Sequence, residues 1–70
     1  MNLKTNDTVE NNVEVLRKKL HITQAELASH VGVTRQTIIA IEKGDYIPSV
    51  LLAIKLAQHF NLPVEKVFYV

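Results

Sequence analysis

Apolar positions in this chain recur at intervals of three and four, the period of helices with one buried face. Val9, Val13, Leu16 and Leu20 share such a face and predict a first helix from about Thr8 or Asn12 to Leu20. Lys18 and Lys19 lie off that face in the last turn, where cations complement the helix dipole. A second helix begins at Thr23. The run Thr23-Gln24-Ala25-Glu26 has the spacing of a capping box, in which the threonine oxygen and the glutamate each satisfy a free backbone N–H. Leu27, Ala28 and Val31 form its buried stripe, and Gly32 ends it in the left-handed conformation that glycine tolerates. Val33 is expected to be buried in the turn. Thr34 caps a third helix that runs to Lys43, stops at Gly44, and points Ile38 and Ile41 inward. Asp45, Tyr46 and Pro48 read as a loop. Ser49 caps a fourth helix reaching Phe60, with Asn61 at its end. Pro63 suits the first turn of a short fifth helix through Val67, and Phe68-Tyr69-Val70 suits an extended end. Residues 1–11 are read as a flexible N-terminal arm and residues 12–70 as one domain.

Composition narrows the class. At 47% hydrophobic and 21% charged residues, the chain is too apolar for disorder. The absence of cysteine excludes disulfides and thiolate metal sites. Seventy residues without such staples depend on well-packed helices. The longest apolar run, Val50 to Ile54, stops at Lys55, well short of a membrane span, and the polar start lacks the apolar stretch of a signal peptide. A cytoplasmic protein is expected. The net charge of +1 argues mildly against a nucleic-acid partner, but its distribution matters more. Arg17, Lys18, Lys19, Arg35 and Lys43 fall in one stretch opposed only by Glu26 and Glu42.

The connection Val31-Gly32-Val33 between the second and third helices is that of a helix-turn-helix. Ala28 is small enough for a close helix crossing, and Gly32 supplies the positive φ of the turn. Val33, Ile38 and Ile41 anchor one side of the third helix and leave its other side free. The run Ile22-Thr23-Gln24-Ala25-Glu26-Leu27-Ala28, then Val31-Gly32-Val33-Thr34-Arg35-Gln36-Thr37-Ile38, then Ile41-Glu42-Lys43-Gly44, resembles the Cro and phage-repressor-like (Xre-type) helix-turn-helix family. Pro48-Ser49-Val50, Ala53, Leu56-Ala57, Phe60 and Val67-Phe68 continue the match. The likeness runs from about residue 12 to the end and is nearest the short, stand-alone bacterial regulators of that family.

The resemblance implies an all-α, compact five-helix lambda-repressor-like DNA-binding domain whose third helix enters the major groove, where base edges display a readable pattern. The residues that reach bases would be the start of that helix, Thr34, Arg35, Gln36 and Thr37, with Ala40 one turn on. Arg35 suits a bidentate contact to guanine and Gln36 one to adenine. Thr34 is first of all a cap. Phosphates would be met by Gln24, which also braces Gln36, and by Thr34, Lys43 and Tyr46; Thr37 suits a phosphate as well. Arg17 and Glu42 would pair as a partly buried salt bridge between the first and third helices. Ile39 stands where family members often carry a polar residue and reads as a singly exposed isoleucine.

One recognition helix covers few base pairs, and regulators of this kind bind half-sites about 34–36 Å apart as dimers. Val50, Ala53, Leu56, Ala57 and Phe60 suffice for the core face of the fourth helix, with Leu52 at its edge. The surplus of apolar residues predicts a two-fold interface made by Leu51, Ile54, Val64, Val67, Tyr69 and Val70, with Phe68 assigned to the core. The expected partners are double-stranded DNA at a palindromic operator and a second copy of the chain, with no cofactor, no metal, no membrane and no small-molecule ligand. An enzyme is not indicated. Two distant glycines make no phosphate loop, and His21, His30 and His59 lack metal-ligand spacing and read as surface residues. Ser29 and Ser49 have no His and acid pattern around them. The transcriptional reading, a repressor by preference, stands beside two others. One is an antitoxin of the same fold that represses its own operon; the other is a helical interaction module without DNA binding.

Overall fold

The computed structural model describes residues 7–70. Strand β1 (Glu10–Asn11) leads into helices α1 (Val13–Lys19), α2 (Gln24–Val31), α3 (Arg35–Lys43) and α4 (Val50–Phe60). A single 3-10 turn (Val64–Lys66) and strand β2 (Phe68–Tyr69) close the chain. The strands pair antiparallel, with Glu10 opposite Tyr69 and Asn11 opposite Phe68.

The starts and stops follow from local chemistry. At α2, the Glu26 N–H donates to Thr23 Oγ1 at 3.0 Å and the Thr23 N–H donates to Glu26 Oε1 at 2.9 Å, completing the capping box. Those bonds hold the Glu26 carboxyl below the usual carboxylate range. Thr34 caps α3 by accepting from the Thr37 N–H at 3.4 Å, and Ser49 caps α4 by accepting from the Leu52 N–H at 3.1 Å. Gly32, Gly44 and Asn61 end α2, α3 and α4 in the left-handed conformation.

The chain departs from the sequence reading at both ends. Helix α1 starts only at Val13, whose N–H donates to Asn11 Oδ1 at 3.0 Å. Val9 therefore precedes the helix, and Leu20 lies beyond it, 48% exposed. The expected fifth helix is three residues of 3-10 turn, closed by Lys66 N–H to the Pro63 carbonyl and Val67 N–H to the Val64 carbonyl. With β2 following directly, no room is left for i to i+4 bonding, so the fold is four α-helices with a two-stranded sheet. Of the arm expected over residues 1–11, residues 1–6 lie outside the described residues, while Glu10 and Asn11 form β1. Asn11 Nδ2 also donates to the Ile41 carbonyl at 2.9 Å, tying β1 to the end of α3.

The core joins Val13 of α1, Leu27, Ala28 and Val31 of α2, and Ile38 and Ile41 of α3 to Leu52, Leu56 and Ala57 of α4 and Val67 after the 3-10 turn. Two expectations on α4 are corrected here. Leu52, expected at the edge, is buried, whereas Val50, expected in the core, is 77% exposed. Val33 is half-buried against the core, and Ile39 is half-buried.

Candidate nucleic-acid interface

Helix α3 is held from beneath by Ile38 and Ile41, both fully buried. A polar anchor supplements them. Arg17 Nε and Nη2 donate to the Glu42 carboxylate at 2.7 and 3.3 Å, and Arg17 Nη1 donates to the Ile22 carbonyl at 2.9 Å. The two side chains keep only 11% and 4% of their surface exposed. The Glu42 hydrogen bond pushes the Arg17 guanidinium above its ordinary value, against the opposing effect of burial. Gln24 Nε2 donates to the same carboxylate at 2.9 Å. The ion pair anticipated between Arg17 and Glu42 is therefore present, and one carboxylate ties α1, α2 and α3 together. Gln24 braces Glu42; the described residues show no bond from it to Gln36.

Arg17 also explains a turn the sequence did not announce. His21 has φ of +56°, a left-handed conformation that histidine adopts more readily than most residues. The Arg17 bond to Ile22 spans this turn and leads the chain into the cap of α2.

With its underside fixed, α3 presents its first turn outward. Arg35 and Gln36 are exposed, Thr37 is half-buried, and Thr34 is exposed at the cap. The first turn holds no acidic residue, so the positive end of the helix dipole is uncompensated. One turn on, Ala40 is half-buried. Gln24 and Arg35 border one shallow depression, with Thr23, Ala25, Lys18, Arg17 and Glu14. Thr37 and Tyr46 border a second. Lys43 is exposed at the far end of α3, beside Val9, Glu10 and Asn11. Arg35 and Thr37 are separated by about 200° around a helix, so the first two depressions lie on opposite flanks of α3.

The residues assigned to a dimer interface separate. Val67 is fully buried in the core and has no surface to offer a partner, which removes it from the interface. Ile54 and Val64 line an almost wholly apolar groove with Val9, Ile47, Pro48, Val50, Ala53 and Phe68. Leu51, 65% exposed, faces the depression of Thr37 and Tyr46 instead. Tyr69 and Val70 are exposed at the end of the chain, and Tyr69 Oη donates to Asn12 Oδ1 at 3.4 Å. Ile47 and Val50 were not read as surface residues, and no local signal marks them. The histidines read as surface residues include one contact pair: His30 and His59 stack with ring centroids 4.9 Å apart, and His59 is half-buried. Among the described residues no group of three or more His, Cys, Asp or Glu is placed to hold a metal.

A helix-turn-helix family model matches residues 13–67. The chain belongs to the helix-turn-helix family. A relative named an uncharacterized HTH-type transcriptional regulator, from Bacillus subtilis, is 49% identical over 61 residues, covering 87% of this chain and 92% of its own. Another of the same description, from Methanocaldococcus jannaschii, is 47% identical over 60 residues, covering 86% and 91%. Among solved structures, the restriction-modification controller protein C.AhdI from Aeromonas hydrophila superimposes with a TM-score of 0.73 at 24% identity, over 79% of this chain and 83% of that one. At that identity the likeness is one of fold. Within a helix-turn-helix protein, α2 and α3 with the Gly32 turn are the defining pair, and the matched span includes the whole Arg17–Glu42–Gln24 anchor.

Proposed function

We propose that this chain is a sequence-specific, double-stranded DNA-binding transcriptional regulator, that it acts as a repressor, and that it reads the major groove with α3 as a two-fold dimer on a palindromic operator. The observation that carries the reading is the state of Arg35 and Gln36. Both are exposed on the first turn of a helix whose opposite face is buried and ion-paired. Two side chains able to make bidentate contacts are thus free for a ligand and rigidly aimed. In this reading Arg35, Gln36, Thr37 and Ala40 face base edges, while Gln24, Thr34, Lys43 and Tyr46 meet phosphates. Gln24, held by Glu42, is positioned before any duplex arrives, which spares the ordering cost of binding.

Dimerisation is supported by apolar surface that the chain leaves uncovered. Ile47 is 63% exposed, Val50 77% and Ile54 40%, all beside the apolar groove. A second copy seated there would cover them and present two recognition helices to one duplex. Occupying an operator excludes other proteins from it, so repression needs no further surface than the one described. The relatives' names as transcriptional regulators fit a binding protein rather than an enzyme. No described helix is long and apolar enough to cross a membrane; action on DNA places the protein in the cytoplasm.

Random-site selection on duplex DNA tests the reading. A palindromic consensus is expected, and Arg35→Ala or Gln36→Ala should relax it by about 1–3 kcal/mol of discrimination at the affected base pair. If neither substitution alters the selected sequence, α3 is not the reading element. Val50→Glu with Ile54→Glu should sediment as a folded monomer that binds the duplex weakly; an unaltered dimer would remove the proposed interface.

A further inference from the structure

The outward side of α3 is not polar throughout. At about 100° per residue, Gln36, Ile39, Ala40 and Lys43 fall in one sector about 100° wide, centred opposite the buried Ile38 and Ile41. Gln36 and Lys43 are exposed at its two ends, and Ile39 and Ala40 lie side by side between them, each half-buried. Ile39 is neither a core residue nor packed against the core. The middle of the sector therefore carries only apolar side chains, with no side-chain donor or acceptor. Local helix formation does not call for an isoleucine there, since a β-branched side chain loses χ1 freedom in a helix. The major groove shows one apolar feature to such a surface, the C5-methyl of thymine.

We propose that Ile39, with Ala40 beside it, determines specificity by packing on the C5-methyl of a thymine in the operator half-site. The inference rests on the reading of α3 as the groove-binding helix and adds Ile39, which that reading leaves out. The position of the thymine follows from spacing. Ile39 and Ala40 stand three and four residues beyond Gln36, about 4.5–6 Å along the helix axis. Base pairs rise by about 3.4 Å, so the thymine belongs one or two pairs beyond the pair that Gln36 meets. Covering one methyl group is worth about fourfold in affinity. A cytosine in the same place lacks the methyl and offers an amino proton to a side chain that cannot accept it.

The test removes the methyl alone. Random-site selection defines the half-site, and each of its thymines is replaced in turn by uracil, which pairs identically and lacks only the C5-methyl. The wild-type chain, Ile39→Ser, Ile39→Ala and Ile39→Val are titrated against each duplex, with circular dichroism confirming that each variant is folded. For the wild type, about a fourfold loss is expected at a thymine one or two pairs from the position that Gln36→Ala relaxes. Ile39→Val, which keeps a branched apolar side chain, should retain that loss; Ile39→Ser and Ile39→Ala should abolish it. Exchanging the same T·A pair for C·G should weaken the wild type, and 5-methylcytosine in place of the cytosine should restore about fourfold. In Ile39→Ser it should restore nothing. Wild-type binding indifferent to uracil at every thymine overturns the contact, as does a half-site with no thymine at that spacing. A uracil penalty undiminished in Ile39→Ser and Ile39→Ala assigns the methyl to another group and overturns it too. All three outcomes leave the reading of α3 standing, provided Arg35→Ala or Gln36→Ala still relaxes the consensus. A wild type that binds no duplex, or a consensus that neither substitution alters, overturns both.

Discussion

Removing the Glu42 carboxylate tests what holds α3 in place. Glu42 accepts from Arg17 Nε, Arg17 Nη2 and Gln24 Nε2 at 2.7, 3.3 and 2.9 Å. In Glu42→Ala the Arg17 guanidinium retains only the Ile22 carbonyl, at 2.9 Å, and Gln24 loses its partner. Breaking a buried pair from one side costs about 3–5 kcal/mol, because the remaining charge stays desolvated. Arg17 keeps 11% of its side-chain surface, so part of its hydration can be regained, and the lower figure of about 3 kcal/mol is expected. A chain of 70 residues has roughly 3.5–10 kcal/mol of stability in total, so the variant should sit near the edge of unfolding.

Urea denaturation provides the assay. With a slope of about 1 kcal/mol per molar, the midpoint should fall by roughly 3 M with the slope unchanged. The double variant Arg17→Met, Glu42→Leu separates two explanations. If the cost is a stranded charge, replacing both partners by apolar groups should recover most of it and end within about 1 kcal/mol of wild type. A loss under about 1 kcal/mol in Glu42→Ala, or a double variant as unstable as the single one, would refute the anchoring argument. Folded double variant should still bind DNA but with α3 less firmly oriented, so its sequence discrimination should fall more than its affinity for random duplex.

Gly32→Ala should cost about 1–2 kcal/mol, read as a shift in urea midpoint; φ is +76° and the added carbon meets no packed neighbour within 4 Å beyond the adjoining chain, so backbone strain sets the penalty. Gly32→Asn should cost less. Burial, and secondarily the facing His30, hold the His59 imidazole below its ordinary value of 6.5. The unfolded chain then binds that proton more readily, so the associated stability is present above about pH 6.5 and is lost as pH falls through the folded-state value. Urea midpoints between pH 8 and 5 should show that decline on the scale expected of histidine titration, about pH 6.5 and below, and His59→Gln should remove it. Val67→Ala should destabilise the chain by about 2 kcal/mol, and Val50→Ala should change the dilute monomer by less than about 0.5 kcal/mol. Equal losses at the two valines would contradict their assigned burial.

Much of the fold was legible because its boundaries rest on contacts within a few residues. Thr23, Thr34 and Ser49 cap the helices they were expected to cap, and Gly32, Gly44 and Asn61 end them, since each needs only its own turn. The sheet was not legible as such. Its two-residue strands carry no period, and Tyr69 is separated from Glu10 by most of the chain. What sets the pairing is remote: the Asn12 N–H donates to the Val67 carbonyl at 2.9 Å, and Asn11 reaches the end of α3. At the candidate site, the outward turn of α3 and the Arg17–Glu42 pair were anticipated. The nearness of Lys55 to Thr37 and Tyr46 was not, because these residues come from other elements.

The exchange between Val50 and Leu52 is the instructive miss. Taking Leu56, Ala57, Ala53 and Phe60 as the inner face of α4, the 3.6-residue period places Val50 and Leu52 about equally far from its centre, on opposite sides. Periodicity alone is symmetric between them. Tertiary packing breaks the symmetry: α4 packs on α2 and Leu52 is buried, while the other edge opens onto the groove of Ile47, Ile54 and Val64. An edge that reads as core by pattern and is left bare by the chain's own fold is what a self-associating face requires. The apolar surplus read from the sequence is present at the surface, and its location depended on which side of α4 the rest of the chain covered. That choice moves the proposed contact away from Val67 and onto Val50 and Ile54, and it makes those two residues the sharper place to test the proposed dimer.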